Sequence, residues 1–221
     1  MRTLANPLTG GEAWYHGTTL DFERFSETGL RRRWTDWNAF LGTHFAASRQ
    51  LAESFATPNA GDFLTAGRHL GDSPRVLSCR LRGPALEFAD EGQLNLAAAA
   101  WLWGRGLLDE ARLSQDRVLG PNWGPRLARH LRGEGDAVDA EEAMGFAYDA
   151  LNSLGRAKAQ LVRAWRRSLL DEGWRAVIYG NSIDAHRLDG VEDLTAIALR
   201  SEDIEVLAVE EVVGRLEAPA I

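Results

Sequence analysis

The sequence predicts an α+β fold in which a strand-rich beginning and a strand-rich end flank a helical insertion over 84–170. Three observations carry this prediction. Short apolar runs bounded by turn residues recur at 13–19, 40–46 and 74–81, and again at 175–179, 194–199 and 204–209. The composition shifts near Pro84 to Ala, Leu, Trp and Arg with helical spacing. The order is strands, helices, strands, without a repeat or low-complexity linker, so the 221 residues read as a single domain with an insertion.

Residues 1–12, with Pro7 and Gly10-Gly11, read as an arm before the first strand at 13–19. Phe22 and Phe25 lie three apart, which is enough for a short helix. The second strand runs from Phe40 to Ala46. Ser48 then stands as an N-cap before Leu51, Ala52, Phe55 and Ala56, which mark one apolar face of a short helix. The stretch from Pro58 to Asp72 is glycine-rich and reads as a loop before the third strand, Pro74–Leu81.

In the insertion, Phe146, Ala150, Leu151, Leu154, Ala157, Leu161, Trp165 and Leu169 recur at intervals of three and four. They predict one long helix reaching Glu172 and closed by Gly173. Gly120–Pro125 and Gly133–Asp136 read as loops dividing the block. The tryptophans at 101, 103, 123, 165 and 174 are assigned to core and helix interfaces.

The bulk composition narrows the function. A net charge of −7 argues against non-specific nucleic-acid binding by the whole surface but leaves room for a local basic patch. Arg31-Arg32-Arg33 beside Trp34 and Trp37 is the patch the sequence suggests. No apolar run reaches the ~20 residues that span a bilayer, and the start lacks a signal-peptide pattern, so the expected location is the cytoplasm. The lone Cys79 excludes an internal disulfide and a multi-cysteine zinc site, and it reads as a buried small residue in a strand. No two histidines have helical metal-ligand spacing, so no metal is expected.

The informative runs are Trp14-Tyr15-His16-Gly17-Thr18-Thr19 and Leu41-Gly42-Thr43-His44-Phe45-Ala46. Each sets a histidine beside glycine and small polar residues in an apolar strand. Glycine admits close approach to the backbone, and neutral histidine offers one donor and one acceptor. The two runs would form the walls of one polar-lined cleft. His44 reads equally well as a satisfied core histidine.

On these residues the chain resembles the ADP-ribosyltransferase family, in the branch related to diphtheria toxin and poly(ADP-ribose) polymerases, including bacterial and phage-associated members. The resemblance covers about 13–81 and 170–209; the helical middle is outside it. Tyr15-His16-Gly17-Thr18 is similar to the family's first strand, whose histidine binds the adenosine ribose of NAD and whose glycine offers its backbone to the nicotinamide amide. Gly42-Thr43-His44-Phe45-Ala46 with Phe55 is similar to the second motif, where His44 and Phe55 replace two tyrosines. Tyr179-Gly180-Asn181-Ser182-Ile183-Asp184 is similar to the family's Tyr-x-Asn-x-x-acid end.

The resemblance implies a split β-sheet core and NAD as a substrate. It implies NAD-binding roles for Tyr15, His16, Gly17, Thr18, Phe45 and Phe55, and catalytic roles for His44, Asn181 and Asp184. It further implies a macromolecular acceptor, protein or nucleic acid, and an inhibitor or antitoxin as a partner. Thr195 stands where the family carries its catalytic glutamate, so the carboxylate is assigned to Asp184, with Glu192 or Asp193 as alternatives. Two further readings share the fold. One is an RNA 2′-phosphotransferase, which the His-Gly-Thr run and the histidine of the second motif partly match. The other is a catalytically silent module that binds NAD or a partner.

Overall fold

The computed structural model describes residues 2–22, 24–26, 36–56, 74–113, 120–134, 140–181 and 193–212. The fold is mixed α+β. Seven strands, β1 (Ala13–Thr18), β2 (Thr43–Ala46), β3 (Arg75–Leu81), β4 (Ala85–Phe88), β5 (Ala176–Asn181), β6 (Asp193–Ala198) and β7 (Ile204–Glu211), lie in the order β4-β5-β6-β2-β1-β3-β7. All neighbours are antiparallel except β4 and β5. The junction of β1 and β2 is the narrowest in the sheet, a single register pair of Tyr15 with Ala46, whereas the other junctions carry four to seven pairs.

The helices among the described residues are α1 (Arg49–Ala56), α2 (Glu91–Gly104), α3 (Glu110–Leu113), α4 (Gly120–Leu131), α5 (Ala140–Asn152) and α6 (Lys158–Asp171). Ser48 caps α1 as predicted, its Oγ accepting the Leu51 N–H at 3.2 Å.

Three elements depart from the sequence reading. Gly120–Pro125 is not a loop but the opening of α4. Pro121 lies in the first helical turn, where its missing N–H has no partner to lose, whereas Pro125 lies inside the helix and forgoes one backbone bond. The long helix predicted through 172 is two helices, because Gly155 adopts φ +56° and a 3-10 turn over Gly155–Ala157 interrupts it. A left-handed residue cannot sit inside a right-handed helix, and the apolar spacing carries across the break without revealing it. The third departure is β4, a four-residue strand inside the predicted insertion, which pairs in parallel with β5.

Strand alternation sends Trp14, His16 and Thr18 to one sheet face and Tyr15 and Gly17 to the other. On the first face Trp14, Phe45, Leu77, Cys79, Ile178 and Ala196 form one core, closed by Leu4, Phe22 and Phe25. On the second face α1 packs over Tyr15 and Ala46. Beyond it α2, α4, α5 and α6 share a core with Val177, Tyr179 and Ile197 of β5 and β6. The helical block thus rests directly on the sheet. Burying each large apolar side chain contributes roughly 1.5–3 kcal/mol, so this shared core is a major part of what holds the block in place.

The short 3-10 segment Trp37–Phe40 ties the block to β2. Trp37 is fully buried, its Nε1 donating to Asn95 Oδ1 at 2.8 Å and its backbone N–H to Asn152 Oδ1 at 2.9 Å. Asn38 Nδ2 donates to Glu91 Oε1 at 3.1 Å. Cys79 is fully buried in β3, and burial pushes its thiol up to about 12, which leaves it protonated and unreactive. No helix among the described residues is long and apolar enough to cross a membrane.

Candidate functional site

The segments that carry the histidine motifs and the Tyr-x-Asn run are far apart in sequence and consecutive in the sheet, in the order β5-β6-β2-β1. Tyr15 pairs with Ala46, Ala46 with Thr195, and Thr195 with Tyr179. One row across four strands therefore joins all three motifs.

His16 is the best-defined member. Its Nδ1 donates to the His44 carbonyl at 2.8 Å. That bond sets the neutral tautomer, leaving Nε2 as an acceptor. Three rings surround the imidazole: Phe25 at 5.1 Å, Phe45 at 5.6 Å and Phe22 at 6.2 Å between centroids. Burial lowers its pKa and the backbone bond to His44 opposes that only in part, so the ring is uncharged at neutral pH. Phe45 is 2% exposed and acts as a wall of this nest. Phe22 and Phe25 pack on each other and on His16. Sequence reasoning gave them a helix instead; two phenylalanines just after a histidine-bearing strand were the signal available.

Gly17 faces the opposite way. A Cβ placed there would lie 1.8 Å from the Ala52 carbonyl oxygen of α1. The glycine therefore lets a helix backbone, rather than a side chain, rest on the strand. Tyr15 packs on this same face beside Leu51 and Ala52. Thr18 ends β1, with its Oγ1 accepting the Leu20 N–H at 3.1 Å. Phe55, in the last turn of α1, is 38% exposed and is the aromatic of this group nearest to solvent.

His44 is partly buried on β2. Burial first, then the neighbouring His16, drives its pKa down to about 4, and a backbone bond to Gly42 opposes the shift. It is neutral at physiological pH and acts there as a hydrogen-bonding group, not as a cation.

Asn181 ends β5 and is 5% exposed. Its Nδ2 donates to Thr195 Oγ1 at 2.9 Å, so it braces two strands. Asp193 begins β6, is 3% exposed, and grips the start of α1: Oδ2 accepts the Ser48 hydroxyl at 2.7 Å and the Ser48 N–H at 3.2 Å. A carboxylate at a helix N-terminus is favourable, and here it fixes the angle at which α1 lies over Gly17. Asp193 is therefore a positioning residue for α1, a role the sequence did not signal. Asp184 and Glu192 lie outside the described residues, as do the Arg31–Arg33 run and the 58–72 stretch.

Comparison with protein-family models, with curated proteins and with solved structures returns no match.

Proposed function

We propose that this protein is an NAD-dependent mono-ADP-ribosyltransferase, moving ADP-ribose to a macromolecular acceptor with release of nicotinamide. The observation that carries the proposal is the adjacency, in one row of the sheet, of three motifs read independently in the sequence. Next to that row in β1, on the opposite face of the sheet, is a neutral His16 whose Nε2 remains available to a hydroxyl hydrogen.

In this reading His16 Nε2 accepts a hydrogen bond from an adenosine ribose hydroxyl. The backbone of Gly17 in β1 holds the nicotinamide amide, and the exposed ring of Phe55 stacks on the cationic pyridinium. The bond from ribose C1′ to the nicotinamide nitrogen breaks and its electron pair leaves with neutral nicotinamide. The acceptor's nucleophile bonds to C1′, and its proton passes to a base. The sugar is oxocarbenium-like at the transition state, so one carboxylate beside it supplies the main electrostatic stabilisation, commonly about 10²–10³ in rate. Asp184 is assigned that place. Because an aspartate is one methylene shorter than glutamate, the expected enzyme is slow or activated by its acceptor.

A second reading rests on a specific observation. Thr195, at the family's glutamate position, is bonded to Asn181 and carries no charge. This favours a silent module that binds NAD or a partner without turning it over.

Incubation of the protein with cell lysate and NAD labelled on its adenylate half, with protein and nucleic-acid fractions counted separately, tests both. Transfer of label supports the enzyme, and binding without transfer supports the silent module. Single-turnover cleavage in Asp184→Asn, Glu192→Gln and Asp193→Asn then locates the carboxylate. The expected order is loss in the first, with the third altered through α1.

A further inference from the structure

The sequence is acidic, yet α6 presents an arginine face that the proposed chemistry does not use. Ala159, Arg163, Arg166, Arg167 and Leu170 recur at intervals of three and four, so they lie on one side of the helix, and Arg156 stands in the 3-10 turn just before it. Arg163, Arg166, Arg167, Leu170 and Arg200 line one open groove of about 300 Å³. Phe40, Tyr148, Arg156, Lys158 and Ala159 line a second, of about 580 Å³, together with Asp36. Arg163 joins the two, its guanidinium standing 5.8 Å from the centre of the Phe40 ring.

The arginines differ in what they already do. Arg166 is buried and its Nε donates to the Leu199 carbonyl, so it belongs to the fold. Arg200 is engaged by Glu202 and Asp203. Among the described residues no ion pair involves Arg156, Arg163 or Arg167. By contrast Arg49, Arg80, Arg126 and Arg132 all have carboxylate partners. In a chain with an excess of acid, an unneutralised arginine row is a local reversal of the field.

We infer that the arginine face of α6 docks the phosphodiester backbone of a single-stranded nucleic acid, and that this is the acceptor class of the reaction proposed above, on which the second half of the inference rests. Guanidinium forks match phosphate oxygens two at a time, and the choice of a nucleic acid over an acidic peptide rests on the rings beside them. The rings of Phe40 and Tyr148 along the same path suit bases turned out of a single strand, whereas a duplex hides its base faces. Arg156 to Arg167 spans roughly 16 Å at 1.5 Å per residue, the scale of the smaller single-strand grooves. The path also leads toward the candidate site: Phe40 closes the 3-10 segment that runs directly into β2 and His44.

The test is fluorescence anisotropy of the full chain against labelled single strands of about 16 nucleotides, RNA and DNA in separate arms, without NAD. With about three phosphate contacts, the slope of log affinity against log salt should be near −2 between about 50 and 200 mM. The double variant Arg163→Gln, Arg167→Gln should bind at least about tenfold more weakly, with a slope reduced by about 1. Arg105→Gln with Arg129→Gln, away from this face, should bind as wild type, and circular dichroism melts confirm that both variants are folded. Absence of binding at about 50 mM salt overturns the inference. So does an unchanged affinity in the folded 163/167 variant, or displacement of the strand by polyglutamate at equal charge. Because NAD is absent, failure here leaves the transferase reading standing, and a lack of NAD turnover leaves the docking result standing.

Discussion

On one face of β1, His16 stands among Phe22, Phe25 and Phe45 with one ring nitrogen committed to the His44 carbonyl. On the other face its sequence neighbour Gly17 receives the backbone of α1, with no room for a side chain. The histidine is held with a nitrogen to spare, and the side-chain space of the glycine is taken by packing, so only its backbone is left for the proposed amide contact. Two residues of one motif, read together as a ligand site, thus separate into a presenting group and a structural seat. Activity should depend on the first, and the position of α1 on the second.

The largest effect is expected on the Gly17 face. Gly17→Ala forces a Cβ against the Ala52 carbonyl, which the α1 backbone can relieve only by moving. A loss of at least about 3 kcal/mol is expected in denaturant unfolding, at the upper end of overpacking costs. Stability unchanged to within error would mean that α1 is not seated there.

The His16 face should respond to acid. Burial lowers the pKa of His44 from the ordinary 6.5 to about 4, and that of His16 in the same direction. A depressed histidine binds its proton more readily when unfolded, so its contribution is complete above pH 6.5 and is lost as pH falls toward 4. The His44 ring should cost about 1–3 kcal/mol over that window, less than its full shift because the ring is only partly buried, and His16 adds to it in the same direction. Thermal melts from pH 7 to pH 4.5 should show it, and His44→Asn should flatten the slope. An identical slope in that variant would remove the histidines from the account.

A change of similar size is expected from Asp193→Asn, which puts an amide where Ser48 now donates twice. About 1–3 kcal/mol should be lost, the usual cost of leaving a buried polar group mismatched. The smallest change in stability belongs to Phe55→Ala, within about 0.5 kcal/mol for a side chain this exposed. Its NAD binding, followed by calorimetry, should nonetheless weaken several-fold; equal affinity would take Phe55 out of the site.

The strands that meet at this site were legible because their signals are local. His-Gly-Thr and Gly-Thr-His-Phe mark short apolar runs, and β1, β2, β3, β5, β6 and β7 fall within a few residues of their predicted bounds. The helical block was less legible because its boundaries depend on backbone conformation and on distant pairing. Gly155 breaks a helix whose apolar spacing never falters, and β4 is defined by a partner strand on the far side of five helices. The same distinction holds inside the site. The sequence could nominate His16, but not Phe22 and Phe25 as its neighbours, nor Asp193 as the clamp on Ser48. The Asp193–Ser48 contact exists only once β6 lies beside β2.

The most direct test is nicotinamide release from NAD in the presence of lysate, by wild type and by His16→Ala, each shown by circular dichroism to be folded. The account predicts measurable release by wild type and a loss of at least about a hundredfold in the variant, the scale of a lost positioning contact in the transition state. Equal release by the two folded proteins would contradict the assignment of His16 and, with it, the placement of NAD along β1.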